Sequence, residues 1–452
     1  MTTNLARSID ERSLSGSIDV ARFIDERPVS GYQWGIFITA MAVATLDGYD
    51  LQSMALAAPS IAAEWGIEPK SFGPVFTATP LGMVFGSLLL GRIADRWGRK
   101  IPTIIAISLI GLFSLLTAFA PSLEVLAVFR FLMGLGTGGI LPNLIALVSE
   151  YAPQRTRASL TTLSFSAIPF GSMLGGLIAS YLIPTHGWHS VFYVGGIIPL
   201  AIAAWCVVHL PESIRFMAAS DGRRQQIAAI LGKIAPSENF GDGVRFTVPE
   251  HSQAKVSLSR LFGPGRTAPT LLMTLVLAFN TFMLYFLLSW LPTVMNLAGL
   301  SERGALLSTV LPNLGGVVGA ILLGRFIDRF EGFRVMTIGG LVAGTAVLLV
   351  GFGYAHPAVL IPALFFGGTC IMGGQPAIYA LLASLYPTTI RATGAGFTLG
   401  AGRVGSIIGP AAGAWVLAQG WSVQEIFVMA AAPGFGVALC LWIIGRIPRN
   451  FT

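Results

Sequence analysis

Charge is what this chain has least of. Only 11% of its 452 residues are Asp, Glu, Lys or Arg, against about 25% in an ordinary soluble domain. That shortage excludes a conventional water-facing surface over most of its length. Cysteine is scarce as well: Cys206, Cys370 and Cys440 all fall in apolar stretches without ligand or pairing spacing, so neither a disulfide framework nor a thiolate metal cluster is expected. The five histidines, His186, His189, His209, His251 and His356, lie in loops or at the ends of apolar runs and form no metal pair. No Gly-rich phosphate loop ending in Lys-Ser/Thr is present, so ATP is not expected as an energy source and no cofactor is implied. No nucleophile–base pair or metal cluster marks an enzyme. The first thirty residues mix acid and base, and the apolar run after them is too long for a signal-peptide core.

What is abundant is apolar sequence: 54% hydrophobic residues and 54 glycines, the composition of helices packed closely in lipid. Apolar runs of about 20 residues, the length that crosses a bilayer, number twelve. The first six cover 33–58, 72–93, 101–120, 125–148, 160–183 and 191–210; the second six cover 268–292, 305–323, 335–354, 359–385, 394–417 and 426–444. The expected fold is therefore an all-α membrane protein of twelve spans, with an N-terminal segment (1–32), a six-helix bundle (33–210), a polar linker (211–267), a second six-helix bundle (268–445) and a short tail (446–452). With both termini on one side, 24 of the 28 Lys and Arg fall in the loops of that side, and only Lys70 and Arg303 in the loops of the other. This bias predicts cytoplasmic termini. It also accounts for the net charge of +7 without a nucleic-acid partner.

The halves repeat each other. Gly91-Arg92-Ile93-Ala94-Asp95-Arg96 returns as Gly324-Arg325-Phe326-Ile327-Asp328-Arg329, and Glu150-Tyr151-Ala152-Pro153 through Arg157 returns as Leu385-Tyr386-Pro387 through Arg391. Repeated six-span units joined by a linker are a common build of secondary transporters, with the binding site between the units. Inside the first span lie Asp47 and Asp50, three apart and so on one helix face. A charge at that depth costs several kcal/mol unless protonated, paired or hydrated, and marks a functional position. Two carboxylates sharing a low-dielectric face cannot both ionise cheaply, which is the property a proton carrier needs; the alternative is a pair held by backbone and water.

The run from Gly91 through Asp95, Arg96, Gly98 and Arg99 to Lys100 resembles the loop signature of the major facilitator superfamily, and Arg130-Phe-Leu-Met-Gly134-Leu-Gly136-Thr-Gly138-Gly139 resembles its fourth-span motif. Asp47-Gly48-Tyr49-Asp50 is similar to the paired-aspartate motif of the aromatic acid:proton symporters. So are Gly31-Tyr32-Gln33-Trp34, Gly187-Trp188-His189-Ser190, Leu210-Pro211-Glu212-Ser213, Ser289-Trp290-Leu291-Pro292-Thr293 and Tyr386-Pro387-Thr388. The resemblance covers nearly the whole chain. It implies a multi-pass carrier of the bacterial inner membrane, functional as a monomer, that imports a small aromatic carboxylate of hydroxybenzoate, protocatechuate or benzoate type with protons as the coupling ion. Another organic anion, such as a dicarboxylate or sugar acid, is the alternative. Drug export fits less well, because Pro169-Phe-Gly171-Ser-Met-Leu-Gly175-Gly176 lacks the Gly-Pro step of drug:proton exchangers.

On that resemblance Asp47 and Asp50 are the expected proton-coupling pair. Arg130 and Arg403 are the two cations within spans; a guanidinium stays charged and matches a carboxylate with two parallel bonds. Either could hold the cargo's carboxylate while the other pairs with an aspartate, so both are substrate-binding candidates; matching arginines matter for transport in the family, which favours Arg403 as the anion contact, and a structural ion pair is the alternative for each. A ring needs an apolar slot with a few fixed polar groups, for which Asn280, Tyr285, Asn313, Gln375 and Tyr379 are the candidates. Trp290, near the end of its run, is expected as an anchor at lipid level, and Asn143, after Pro142, either lines the path or packs helices. Asp95, Arg99, Glu150 and Arg157, with Asp328, Arg329 and Arg391, are expected to form charge clusters that hold the cytoplasmic face shut. A solvated ion pair is worth under about 1 kcal/mol, so such clusters need partial burial.

Overall fold

The structure, a computed structural model, describes residues 17–220, 222–238, 240, 244–247, 258–263, 265–387 and 390–447. Asp221, the 241–243 stretch of the linker, Thr388 and the tail beyond 447 lie outside the described residues. Twelve membrane-length segments follow one another, each overlapping one run read from the sequence. The first seven are Gly31–Trp65, Gly73–Trp97, Lys100–Thr117, Leu123–Tyr151, Gln154–His186, His189–His209 and Thr267–Leu297. The eighth joins Glu302–Ser308 to Val310–Arg329, and the ninth is Gly332–Gly353. The tenth is broken into Pro357–Ile371 and Gly374–Ser384, the eleventh into Arg391–Gly402 and Val404–Ala418, and the twelfth is Val423–Arg446. Among the described residues ten of these are long and apolar enough to cross a membrane by composition alone. The two that fall short are the first and the eleventh, the segments that carry Asp47, Asp50 and Arg403.

Local chemistry sets the helix ends. Ser30 and Gln33 cap the first span reciprocally, as Ser422 and Glu425 cap the twelfth, each pair satisfying backbone donors that a helix start leaves open. Gly66, left-handed at φ 64°, ends the first span. The Gln33 amide then donates to Tyr151 O at 2.7 Å, tying the start of span one to the end of span four.

Helix pairing repeats between the halves. Within the first, span two packs on four, one on five and three on six; within the second, eight packs on ten, seven on eleven and nine on twelve. Glycines make the closest approaches and follow the same symmetry. A methyl at Gly48 would overlap Ile168 O, and one at Gly171 would overlap Thr45 O, where spans one and five cross; Gly405 stands in the same relation to Ala278 O where eleven meets seven. Small residues at such crossings let backbones touch, which replaces the missing hydrophobic drive in lipid.

The two halves meet at the ends remote from the basic loops. Gln52 Nε2 donates to Leu288 O at 3.2 Å and Ser60 Oγ to Glu302 at 2.7 Å. Phe76 stands edge-on to Trp290 at 4.9 Å. Trp290 is 0% exposed and donates to Pro410 O at 2.9 Å. This corrects its expected place at lipid level: the seventh helix runs on to Leu297, so Trp290 lies inside the protein and seals three spans together. On the basic side the described part of the N-terminal segment, from Ser17 on, is itself folded. Ser17–Asp19 pairs in parallel with Arg245–Thr247 of the linker, and Val20, Phe23 and Ile24 are buried in one core with Ile227, Leu231 and Ile234 of the linker helix Arg224–Ile234.

The glycine contacts yield a test. Gly171→Val forces a side chain against the first-span backbone and is expected to destabilise by about 1–3 kcal/mol, read as lost monodisperse protein after detergent extraction. Gly91→Ala, whose new methyl meets nothing within 4 Å, is expected to be silent in the same assay.

Candidate functional site

A cavity of about 400 Å³ lies between the halves. Its walls come from the middle and basic-side portions of the spans: Pro142 and Ile145 on the fourth, Ala320 on the eighth, Tyr379 on the tenth, Leu399 on the eleventh. The cavity therefore runs toward the basic face and stops at the contacts that close the opposite one. Two helix breaks shape it. The tenth span is interrupted at Met372 and Gly373, and the eleventh at Arg403, which closes one helix and opens the next. The break tightens to i→i+3 bonding, with Arg403 N donating to Gly400 O at 3.3 Å and Ser406 N to Arg403 O at 2.9 Å, the kind of interruption that marks functional positions in helices.

Of the residues expected to bind or couple, Asp47, Arg403, Tyr285, Asn313, Gln375 and Tyr379 share this one cavity. Arg403, half-buried, donates to Met83 O of the opposite half at 3.4 Å and makes no ion pair among the described residues. Asp47 is 1% exposed; neither of its oxygens has a hydrogen-bond partner among the described residues. Thr137 of the fourth span lies beside it, and the Thr137 hydroxyl likewise lacks a hydrogen bond among the described residues. Tyr285 OH reaches Met83 Sδ at 3.4 Å across the halves. Gln375 Nε2 donates to Tyr379 OH at 2.8 Å, and Asn313 Nδ2 to Thr309 O at 2.7 Å. Asn280 is buried on the seventh span, off the cavity wall.

Asp50 and Arg130 sit elsewhere, inside the first half. Asp50 Oδ1 accepts from Ser114 of the third span at 2.7 Å, while Oδ2 has no hydrogen-bond partner among the described residues. Arg130 does not clasp that carboxylate. It donates to the Asp50 backbone carbonyl at 3.3 Å and to Ser53 Oγ at 3.1 Å, and lies 5.0 Å from the Phe192 ring centroid. Arg130 also borders a second void of about 30 Å³, room for about one or two waters. Leu51, Tyr285 and Leu288 line both spaces and form the partition between them. Although Asp47 and Asp50 are one turn apart, one belongs to the open cavity and the other to a closed polar cluster.

The basic-face charges do not assemble as expected. Asp95 and Arg99 approach to 3.8 Å, but Asp95 is 78% exposed, so the pair is worth little. Arg99 instead donates to Asn143 Oδ1 at 3.2 Å, and Asn143 Nδ2 back-bonds to Gly139 O. Glu150 accepts from Ser213 Oγ at 2.5 Å. Arg157 pairs with Asp25 of the N-terminal helix at 3.6 Å. In the second half Asp328 and Arg329 are exposed and Arg391 donates to Tyr386 O at 3.3 Å. Among the described residues no ion pair joins the halves at this face, because the cavity mouth separates them.

Glu212 has a role the sequence reading did not assign. Its carboxylate accepts from the backbone N–H of Arg99 at 2.5 Å, Lys100 at 3.2 Å and Ser213 at 2.7 Å, holding the start of the third span. Gly98, at φ 89°, presses against that carboxylate with no room for a side chain. The Pro-Glu-Ser sequence at a span end, beside a Gly-Arg-Lys turn, was the available signal. Ser53, Ser114 and Thr137 were also missed, since a lone hydroxyl in an apolar run carries no signal of its own.

The family model described as Major Facilitator Superfamily matches residues 35–353 and 309–450. The 4-hydroxybenzoate transporter PcaK of Pseudomonas aeruginosa is 38% identical, over 92% of this chain and 93% of its own. The gallate transporter of Pseudomonas putida is also 38% identical, over 96% of this chain and 97% of its own. Among solved structures, the inward open conformation of the xylose transporter XylE from E. coli superposes with a TM-score of 0.74 at 20% identity, covering 93% of this chain and 98% of that one.

Glu212→Ala opens three backbone donors at once and is expected to cost on the order of 2 kcal/mol. The midpoint of thermal aggregation of the detergent-solubilised protein should fall; an unchanged midpoint would remove Glu212 as the anchor of this loop.

Proposed function

The chain belongs to the Major Facilitator Superfamily, and we propose that it imports a small aromatic carboxylate with one or more protons, by alternating access between its two six-helix halves. It is a membrane transporter and not an enzyme. The reading rests above all on Arg403, a guanidinium without a carboxylate partner among the described residues, on the wall of a cavity shared with Tyr285, Tyr379 and two amide side chains. A permanently charged fork with no anion is a place for an anion. The aromatic and apolar wall around it suits a planar ring. The relatives' cargoes, 4-hydroxybenzoate and gallate, are both ring carboxylates and support that choice over a dicarboxylate, a sugar acid or a drug.

Orientation follows from charge: the loop face rich in Lys and Arg lies in the cytoplasm of a bacterium, with both termini there and the inner membrane as the site. The cavity then faces inward, and Phe76, Trp290 and the Leu51–Leu288 partition form the outer barrier. One chain supplies both halves and every wall of the cavity, so a monomer suffices.

The coupling ion follows from energetics. Importing one negative charge against an inside-negative potential costs about 2.3 kcal/mol per 100 mV; one proton travelling with it cancels that charge, and a second adds the potential as a driving force. Asp47 is the residue on the cargo's path with both oxygens open, and Asp50 waits behind it against Ser114 and Arg130. In the proposed cycle the pair takes up protons from outside, the cargo carboxylate meets Arg403, the halves rock, and both are released inward. The cytoplasmic charges separated in this structure would approach when the inner mouth closes.

Three measurements test this. Proteoliposomes loaded with unlabelled 4-hydroxybenzoate should take up the labelled acid in counterflow; binding without exchange would point to a receptor that has lost transport. Uptake in cells should rise as external pH falls and be abolished by a protonophore, whereas Asp47→Asn should keep counterflow and lose accumulation. Arg403→Lys keeps the charge but loses the two-pronged contact, so KM should rise about tenfold, the equivalent of one lost hydrogen bond, with little loss of folded protein.

A further inference from the structure

Asn313 is 1% exposed on the eighth span, on the wall of the same cavity as Arg403. Its amide orientation is fixed by its own helix: Nδ2 donates to Thr309 O at 2.7 Å, and turning the amide over would set two acceptors against each other. Oδ1 is thereby the open atom, and it has no donor among the described residues. Buried acceptors in native proteins are paired, and an exception calls for a partner that arrives from elsewhere. One turn along the helix, Gly316 is covered by Met372 and Pro169, neither of which carries a side-chain donor. Gln375, on the same cavity wall, turns one of its two amide N–H donors to Tyr379 and makes no bond to Asn313 Oδ1.

A carboxylate cannot fill this position, because it too is an acceptor. The cargo's carboxylate is in any case the group that matches Arg403. We propose that Asn313 determines specificity by accepting a hydrogen bond from a hydroxyl on the ring, so that the cargo is a hydroxylated aromatic carboxylate and an unsubstituted ring is discriminated against. This rests on the aromatic-carboxylate reading above and narrows it. A site built around a buried acceptor rejects an analogue that lacks the donor far more strongly than an apolar pocket rejects a missing methylene.

The experiment is counterflow in proteoliposomes with 3- and 4-hydroxybenzoate and their 3- and 4-fluoro counterparts, which match the hydroxyl in size but donate nothing. Wild-type protein should prefer at least one hydroxy acid over its fluoro partner by about tenfold or more. In Asn313→Leu, similar in volume but without the acceptor, that ratio should fall toward one while exchange of the fluoro acids persists. A wild-type ratio near one overturns the proposal and leaves the aromatic-acid reading standing; exchange of none of the four acids by wild-type protein sinks the reading itself. A ratio that survives in Asn313→Leu places the hydroxyl on another acceptor and also overturns it. If the leucine variant exchanges nothing, ligand-induced thermal shifts of purified Asn313→Ala give the same ratio: loss of the preference supports the assignment and its retention ends it.

Discussion

Ionisable side chains in the low-dielectric middle of the chain must be neutralised, matched or solvated, and the rest of the structure is arranged around that requirement. Four of them lie within spans: Asp47, Asp50, Arg130 and Arg403. Each costs several kcal/mol at such depth if left alone. Arg130 is wrapped by the Asp50 carbonyl, Ser53 and the face of Phe192. Asp50 is half satisfied, with Ser114 on one oxygen. Asp47 and Arg403 are left with the poorest protein contacts, and both stand on the cavity. The two charges with the poorest contacts are thus concentrated where a diffusible partner can meet them, although Asp50 Oδ2, Gln52 Oε1 and Arg130 Nε, off the cavity, also lack a hydrogen-bond partner among the described residues.

That concentration depends on how closely the helices are packed. Glycine crossings between spans one and five and between seven and eleven place backbone against backbone, leaving little room for one helix to shift against its partner. The breaks at Met372–Gly373 and at Arg403 interrupt this regularity at the cavity wall. Irregular backbone at membrane depth is tolerated where it lines a polar space. The eleventh span shows both: Gly405 is locked to Ala278, and two residues earlier the helix is broken to present Arg403.

Span number and the duplicated halves were legible because they rest on signals that persist over twenty residues or more: apolar run length, basic loop bias and the recurrence of Gly91–Arg96 at Gly324–Arg329. The intramembrane charges were legible for the opposite reason, since each is a single violation of an apolar background. Contacts made by common residues were not. Nothing in the sequence separates Trp290, buried against Phe76 and Pro410, from a lipid-facing tryptophan, because position in a run says little about which helix face meets a neighbour. The Ser114–Asp50 bond and the Glu212 anchor join residues 64 and over 100 positions apart, and small hydroxyls and a loop glutamate are unremarked in any local window. The basic-face charges were read as one cluster because their loops share a side; whether they meet depends on the state of the cavity mouth.

The placement of the two arginines gives the cycle its direction. A bound species shifts a conformational equilibrium only by the difference in its affinity for the two states. In this arrangement Arg403 borders the large cavity that runs toward the basic face, whereas Arg130 borders only the small void beyond the Leu51–Tyr285–Leu288 partition. The partition residues come from both halves, so in the proposed cycle opening the outer side would part them and join the two spaces. In the proposed cycle an anion then sees both guanidinium groups from outside and only Arg403 from inside. Asp47 and Asp50 are divided in the same way, one on each side of the line between cavity and closed cluster. In that proposal alternation of the halves changes how many charges face the cargo, and that difference would tie its passage to the state of the aspartates.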